Sequence, residues 1–420
     1  MGRKYRQNWK NIAQNVLIAV LSVSSILLFL DVYNLFSGSS DKLSSPFSGG
    51  ISSSSSISKL TDLTAPVRVA VTGAYGRYGN LGLTTTDEGF SSLGALLREA
   101  LGSSDTLTSC TKSQFRSSLS HTGIFYDFQA VLPLSVLGGL VGAGVKNTSV
   151  SSRRIILCKE EGGVKLYLSD GSSYFCCSTQ TPTADLTKAV NHYQLGNASF
   201  AFELNSARTL APYSLFLTGE QPVYPRLTAS SPLSDTTALL KALGFNPHTN
   251  NRYSDSDGAQ VIMDGTRTLR IQNDGLVTYQ DERGSALKIG RSGSALTAKE
   301  AVLGCYRLLA SSGVNFGGAS LFLKSYRSDT VKKILEFDYQ YQGTQIRLGD
   351  GTAAVQIVLR GTTVSSLRLY VRKYLPSGKD SLLLPLRQAI ALGSGHTGKE
   401  LRICYADSGL AEADAGWQIS

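Results

Sequence analysis

Gly393-Ser-Gly-His-Thr-Gly-Lys399 has the spacing of a phosphate-cradling P-loop as far as its lysine. Such a loop also needs a following Ser or Thr to hold magnesium, and here the next residue is Glu400. It further needs a strand before it and a helix after it, so that the helix amino terminus faces the phosphates. The pattern around this stretch reads the other way, so a connecting loop is expected. Gly73-Ala-Tyr-Gly-Arg-Tyr-Gly79 follows a β-branched stretch, but its glycines fall three apart and miss the Gly-x-Gly-x-x-Gly spacing. Tyr75, Arg77 and Tyr78 are the natural contact residues of a loop that touches a partner or ligand. Asp255-Ser-Asp-Gly258 starts like a calcium loop but lacks the remaining ligands and the closing glutamate, which leaves a polar turn. The four histidines, His121, His192, His248 and His396, are widely separated, and no His-Glu-x-x-His or Gly-x-Ser-x-Gly run occurs. Cys110, Cys158, Cys176, Cys177, Cys305 and Cys404 form no Cys-x-x-Cys pair, so zinc ribbons and thioredoxin-type chemistry are unsupported. No catalytic, cofactor or metal residue is assigned. The chain is expected not to be an enzyme and to carry no cofactor.

The elements around these stretches read as a mixture. Helices are expected over residues 86–101, 133–140, 183–192, 297–309 and 382–392, where apolar side chains recur at helical spacing. Thr297 with Glu300 three residues on is a capping box. Strands are expected over 67–71, 123–128, three within 155–177, 199–204, and a longer series from 261 to 279 and 321 to 405. Asp264-Gly265 and Asp274-Gly275 supply hairpin turns. Runs of adjacent strands with helices between them argue for an α+β fold with antiparallel sheets and packed helices. The proline-containing stretch from Gln221 to Pro232 is the expected boundary between an amino-terminal domain, 65–225, and a carboxy-terminal domain, 226–420.

Compartment is read from the amino terminus. Residues 11–30 carry no charge, and twenty residues at ~1.5 Å each match a hydrocarbon core of ~30 Å. A transmembrane helix over 15–36 follows, with Trp9, Tyr33 and Phe36 at the interfaces. Arg3, Lys4, Arg6 and Lys10 place residues 1–14 in the cytoplasm and the remainder across the membrane. Ser22 and Ser25 lie on one face of that helix and could pack against a partner helix. Residues 37–64 hold twelve serines and three glycines, a composition that cannot bury enough apolar surface to offset its ordering entropy, and so act as a linker. The net charge of +10 is partly this terminal cluster; the remainder is interspersed with acids and argues against nucleic acid as a partner.

Two passages resemble a known family. Gly123-Ile-Phe-Tyr-Asp-Phe followed by Leu132-Pro-Leu-Ser-Val-Leu looks like the amino-terminal domain of YycH-type regulatory proteins. Phe245-Asn-Pro, Asp264-Gly-Thr-Arg-Thr-Leu-Arg-Ile and Gly275-Leu-Val-Thr-Tyr resemble the repeated element of YycH and YycI. Phe337-Asp-Tyr-Gln-Tyr-Gln-Gly-Thr-Gln-Ile, Arg368 to Tyr374 and Gly416-Trp-Gln-Ile are similar to its closing half. The resemblance implies a non-catalytic, membrane-anchored extracytoplasmic regulator of the cell-wall sensor histidine kinase of Gram-positive bacteria. It implies protein contact with that kinase and with a second single-pass regulator. An extracellular envelope hydrolase or a structural envelope component is the alternative.

Overall fold

The computed structural model describes residues 68–420, apart from 75–77, 82–87, 146–149, 220, 232, 234–235, 249–250, 284–285 and 291–294. The expected membrane segment with Ser22 and Ser25, the linker, and Tyr75 and Arg77 lie outside the described residues.

Nine strands form a first sheet: β1 (Arg68–Thr72), β2 (Tyr78–Leu81), β3 (Thr108–Ser109), β4 (Gly123–Pro133), β5 (Ser151–Glu160), β6 (Gly163–Ser169), β7 (Tyr174–Ser178), β8 (Ala198–Phe200) and β9 (Leu215–Leu217). Their order is β3-β7-β6-β5-β4-β1-β2-β8-β9, with antiparallel pairing throughout. The β5–β6–β7 meander turns at glycines. Gly163 (φ 121°) and Gly171 (φ 105°) adopt conformations that side chains resist.

The second sheet begins with β10 (Pro225–Ser230) and a meander of β11 (Arg252–Ser254), β12 (Gln260–Asp264), β13 (Arg267–Ile271) and β14 (Leu276–Asp281). It continues with β15 (Ser320–Ser328), β16 (Lys332–Tyr341), β17 (Thr344–Leu348), β18 (Val355–Arg360), β19 (Thr363–Tyr370) and β20 (Lys373–Asp380). It closes with β21 (Leu401–Asp407) and β22 (Glu412–Ile419). The order is β11-β12-β13-β14-β19-β18-β16-β17-β21-β22-β10-β20, and β15 pairs with β16 off this path. Among the described strands only β17 and β21 pair in parallel.

The chain changes sheet between Leu217 and Pro225, yet the described residues belong to one compact unit. Its largest apolar cluster draws on both sheets, from Val69, Ile124 and Leu157 to Leu269, Phe337 and Leu369. Helices contribute to the same cluster, among them Leu137 and Val302. The helix Leu134–Val141 buries Leu134, Val136, Leu137 and Leu140 and packs against Ala298–Ser311 of the second half. At the crossing Gly139 lies against the Lys299 side chain, where an added Cβ would stand 3.0 Å from the lysine stem. The capping box of Ala298–Ser311 forms as expected, Thr297 and Glu300 each accepting from the other's backbone N–H.

The α+β expectation is corrected. With 42% of residues in strand and 21% in helix the fold is mostly β, built on two large sheets. No helix among the described residues is long and apolar enough to cross a membrane. Strands outnumber the expectation because alternation was masked by residues that read as turns. Pro225–Ser230 sits in the stretch read as a boundary, yet Leu227 and Ala229 point inward. Lys373–Asp380 contains Pro376 and Gly378 and still pairs, as an edge strand, the place where proline is tolerated. Glu412–Ile419 alternates around Ala413 and Ala415, side chains too small to signal a strand. The expected helix over 382–392 shortens to Leu386–Gly393, since Leu382 and Leu384 precede Pro385 in extended chain.

Candidate functional site: an arginine-rich cavity

Strand β4 loses register with β5 between Asp127 and Leu132. At this bulge Gln129 takes φ 56°, a left-handed conformation that costs a non-glycine residue energy. Its backbone N–H donates to Asp127 Oδ1 at 2.9 Å, which holds the bend in place. Strand pairing sets Arg68 of β1 and Arg154 of β5 on either side of Asp127.

Asp127 is 1% exposed and is the centre of a charge network. Arg153 grips it with two hydrogen bonds, Nε to Oδ1 at 2.8 Å and Nη2 to Oδ2 at 3.1 Å. Arg68 Nη2 and Arg154 Nε stand 3.5 and 3.7 Å from Oδ2. From the second sheet Glu400, next to β21, accepts from Arg68 at 2.6 Å and from Arg153 at 2.7 Å. Its own backbone exchanges both hydrogen bonds with Ser420. Arg402 of β21 donates through Nη1 to Gln129 Oε1 at 3.1 Å, closing the link back to the bulge.

Burial opposes ionisation of Asp127, but Arg153, Arg154 and Arg68 outweigh it and hold the carboxyl well below the usual range. Burial opposes ionisation of Glu400 too, and Arg68 and Arg153 bring it down to about 2 against the repulsion of Asp127. The arginines fare unequally. Arg153 and Arg68 gain from both carboxylates, whereas burial pulls Arg154 and Arg402 down, with neighbouring guanidiniums adding repulsion. The site carries more positive charge than its two acids neutralise.

Beside this network lies a cavity of about 440 Å³ lined by Lys112, Gln129, Arg153, Arg154, Glu400 and Arg402. Tyr174 and Tyr213 form an aromatic wall, with the Arg154 guanidinium 5.0 Å above the Tyr213 ring. Several buried donors here make no hydrogen bond: Arg154 Nε, Arg402 Nε and the Tyr213 hydroxyl. Such groups are rare inside proteins.

Other charged clusters are closed. His121, Cys158 and Glu160 come within 4.8 Å of one another at their ligating atoms. Glu160, however, already meets Lys165 Nζ at 2.7 Å and the Tyr167 hydroxyl at 2.6 Å, so its oxygens are engaged within the protein. All six cysteines are free thiols. At Asp255 the Arg270 guanidinium, 2.7 Å away, supplies a positive charge beside the turn.

Among the expected contact residues, Tyr78 is 4% exposed and packs edge-on against Phe200 at 5.0 Å. It is a core residue, because strand alternation turns it inward. Gly79 beside it has no room for a side chain, since a Cβ would come within 2.3 Å of the Gln194 carbonyl oxygen. The P-loop-like stretch runs from the helix Leu386–Gly393 into β21, with Lys399 and His396 exposed. It forms no phosphate cradle, but its last neighbour, Glu400, belongs to the network. Asp127, Arg153, Arg154 and Arg402 were not singled out in sequence, although a lone acid in Gly-Ile-Phe-Tyr-Asp-Phe and a paired arginine opening an apolar strand were visible signals.

No protein-family model, no curated protein and no solved structure matches this chain.

Proposed function

We propose that this protein is a non-catalytic regulator of a sensor histidine kinase, held at the membrane by the charge-free segment 11–30 and acting outside the cytoplasm by protein contact. The observation that carries the non-catalytic part is the state of the two acids in the arginine-rich cavity. A general acid or base works best with a pKa near the working pH. Asp127 and Glu400 are driven the opposite way and stay ionised at neutral pH, which suits holding and recognition rather than proton transfer. The kinase as partner rests on the resemblance of the strand and turn passages to YycH and YycI. The test is recovery of the kinase from membranes of a Gram-positive host with the tagged full chain, against a chain lacking residues 1–36. Recovery with the full chain, and weaker recovery without those residues, supports the reading. Absence of the kinase from both would overturn it.

A further inference from the structure

The surplus of cations around the 440 Å³ cavity has a chemical consequence. Lys112, Arg153, Arg154 and Arg402 line it together with Ser420, and Arg68 backs it, while Asp127 and Glu400 are the acidic side chains within reach. The two carboxylates are spoken for: Arg153 holds both, and Arg68 takes Glu400. Arg154 is 8% exposed and has no hydrogen bond at Nε, its nearest acid oxygen lying 3.7 Å off. Arg402 spends one donor on the neutral amide of Gln129, leaving Nε unpaired. Desolvating guanidiniums with too little negative charge opposite them is costly, and the strained bulge at Gln129 adds to that cost. The electrostatic cost is offset if the cavity receives negative charge.

We propose that this cavity is a binding site for a small ligand bearing a compact oxyanion, a phosphate or carboxylate group, held by Arg154 and Arg402. Guanidinium forks match the paired oxygens of either group. The volume lies within the range of small-molecule sites, and Tyr174 and Tyr213 give the rest of such a ligand an aromatic wall. Because Arg153 and Glu400 come from different sheets, an anion arriving beside them acts where the two halves of the fold are joined. The inference rests on this geometry and holds whether or not a kinase is the partner.

The test is isothermal titration of the full chain with inorganic phosphate and, separately, succinate, at constant ionic strength set with chloride. One or both should bind saturably, and the tighter probe identifies the group recognised. Arg402→Gln should weaken that binding by about tenfold to a hundredfold, the scale of one charge-assisted hydrogen bond. Arg402→Lys, which keeps the charge but loses the fork, should weaken it less, and serves alone if the glutamine variant does not fold. Arg226→Gln, at a surface ion pair with Asp414 and Glu412, should bind as the parent does. No saturable binding of either probe, or equal binding in the folded Arg402 variants, overturns the proposal. Loss of kinase recovery with anion binding intact would strike the proposed function alone.

Discussion

Among the described residues, two buried arginine–carboxylate networks are built to different standards. Around Arg372, 4% exposed, every demand is met. Nε and Nη2 bind the two oxygens of Asp407 at 2.8 and 2.7 Å, Nη2 also reaches the Leu410 carbonyl, and Nη1 lies 3.4 Å from the Ser231 hydroxyl. The Tyr374 hydroxyl donates to Asp407 at 2.7 Å, and Asp407 caps the Gly409 N–H. One cation faces one anion. The Asp127 network instead carries excess arginine, unpaired N–H groups, a left-handed glutamine and an adjoining cavity. A closed pair locks strands together, whereas an open, overcharged one retains the capacity to bind.

The comparison can be broken most forcefully at the closed site. Asp407→Ala leaves Arg372 buried without its counter-charge and should destabilise by about 3–5 kcal/mol in denaturant unfolding, with or without added anions. A loss under 1 kcal/mol would show that the lock is dispensable.

At the open site the expected signature is acid sensitivity. Glu400 has a depressed pKa in the folded protein, so its contribution is complete above the unfolded value of about 4.5 and disappears as pH falls through about 2. Stability should therefore fall over that window, by an amount of order 3 kcal/mol for this group. Asp127, depressed further, extends the loss to lower pH. In Glu400→Gln the slope between pH 4.5 and 2 should flatten in urea unfolding curves. An unchanged slope would detach Glu400 from the network.

Smaller effects sharpen the contrast. Gln129→Gly suits the left-handed backbone, whereas Gln129→Ala keeps the strain and loses the same side chain. The glycine variant should be more stable than the alanine variant by about 1 kcal/mol in thermal unfolding. Lys399→Ala, one residue from Glu400 but exposed, should change stability by no more than about 0.5 kcal/mol. A larger loss would extend the network into the loop before β21.

Much of the local structure was legible from residue order. The Thr297–Glu300 capping box, the hairpin turns at Asp264-Gly265 and Asp274-Gly275 and the apolar run before Leu140 depend on neighbours within a few positions, and each formed as read. Strands whose pattern is carried by alanine, or interrupted by proline and glycine, escaped because their pairing partners lie elsewhere in the chain. β10 is held by β20 and β22, about 150 and 185 residues downstream.

The cavity belongs wholly to that second category. Arg68 and Glu400 are 332 positions apart, and Arg153 and Glu400 are 247 apart. Residue types alone determined that Asp127, Arg153, Arg154, Glu400 and Arg402 would be costly to bury singly. Only the joining of two sheets decided that they would be buried together, which acids would be spent on which arginines, and that positive charge would be left over. Local order sets propensity within a turn or two of chain; the surplus arises because β1, β4 and β5 meet β21 in space.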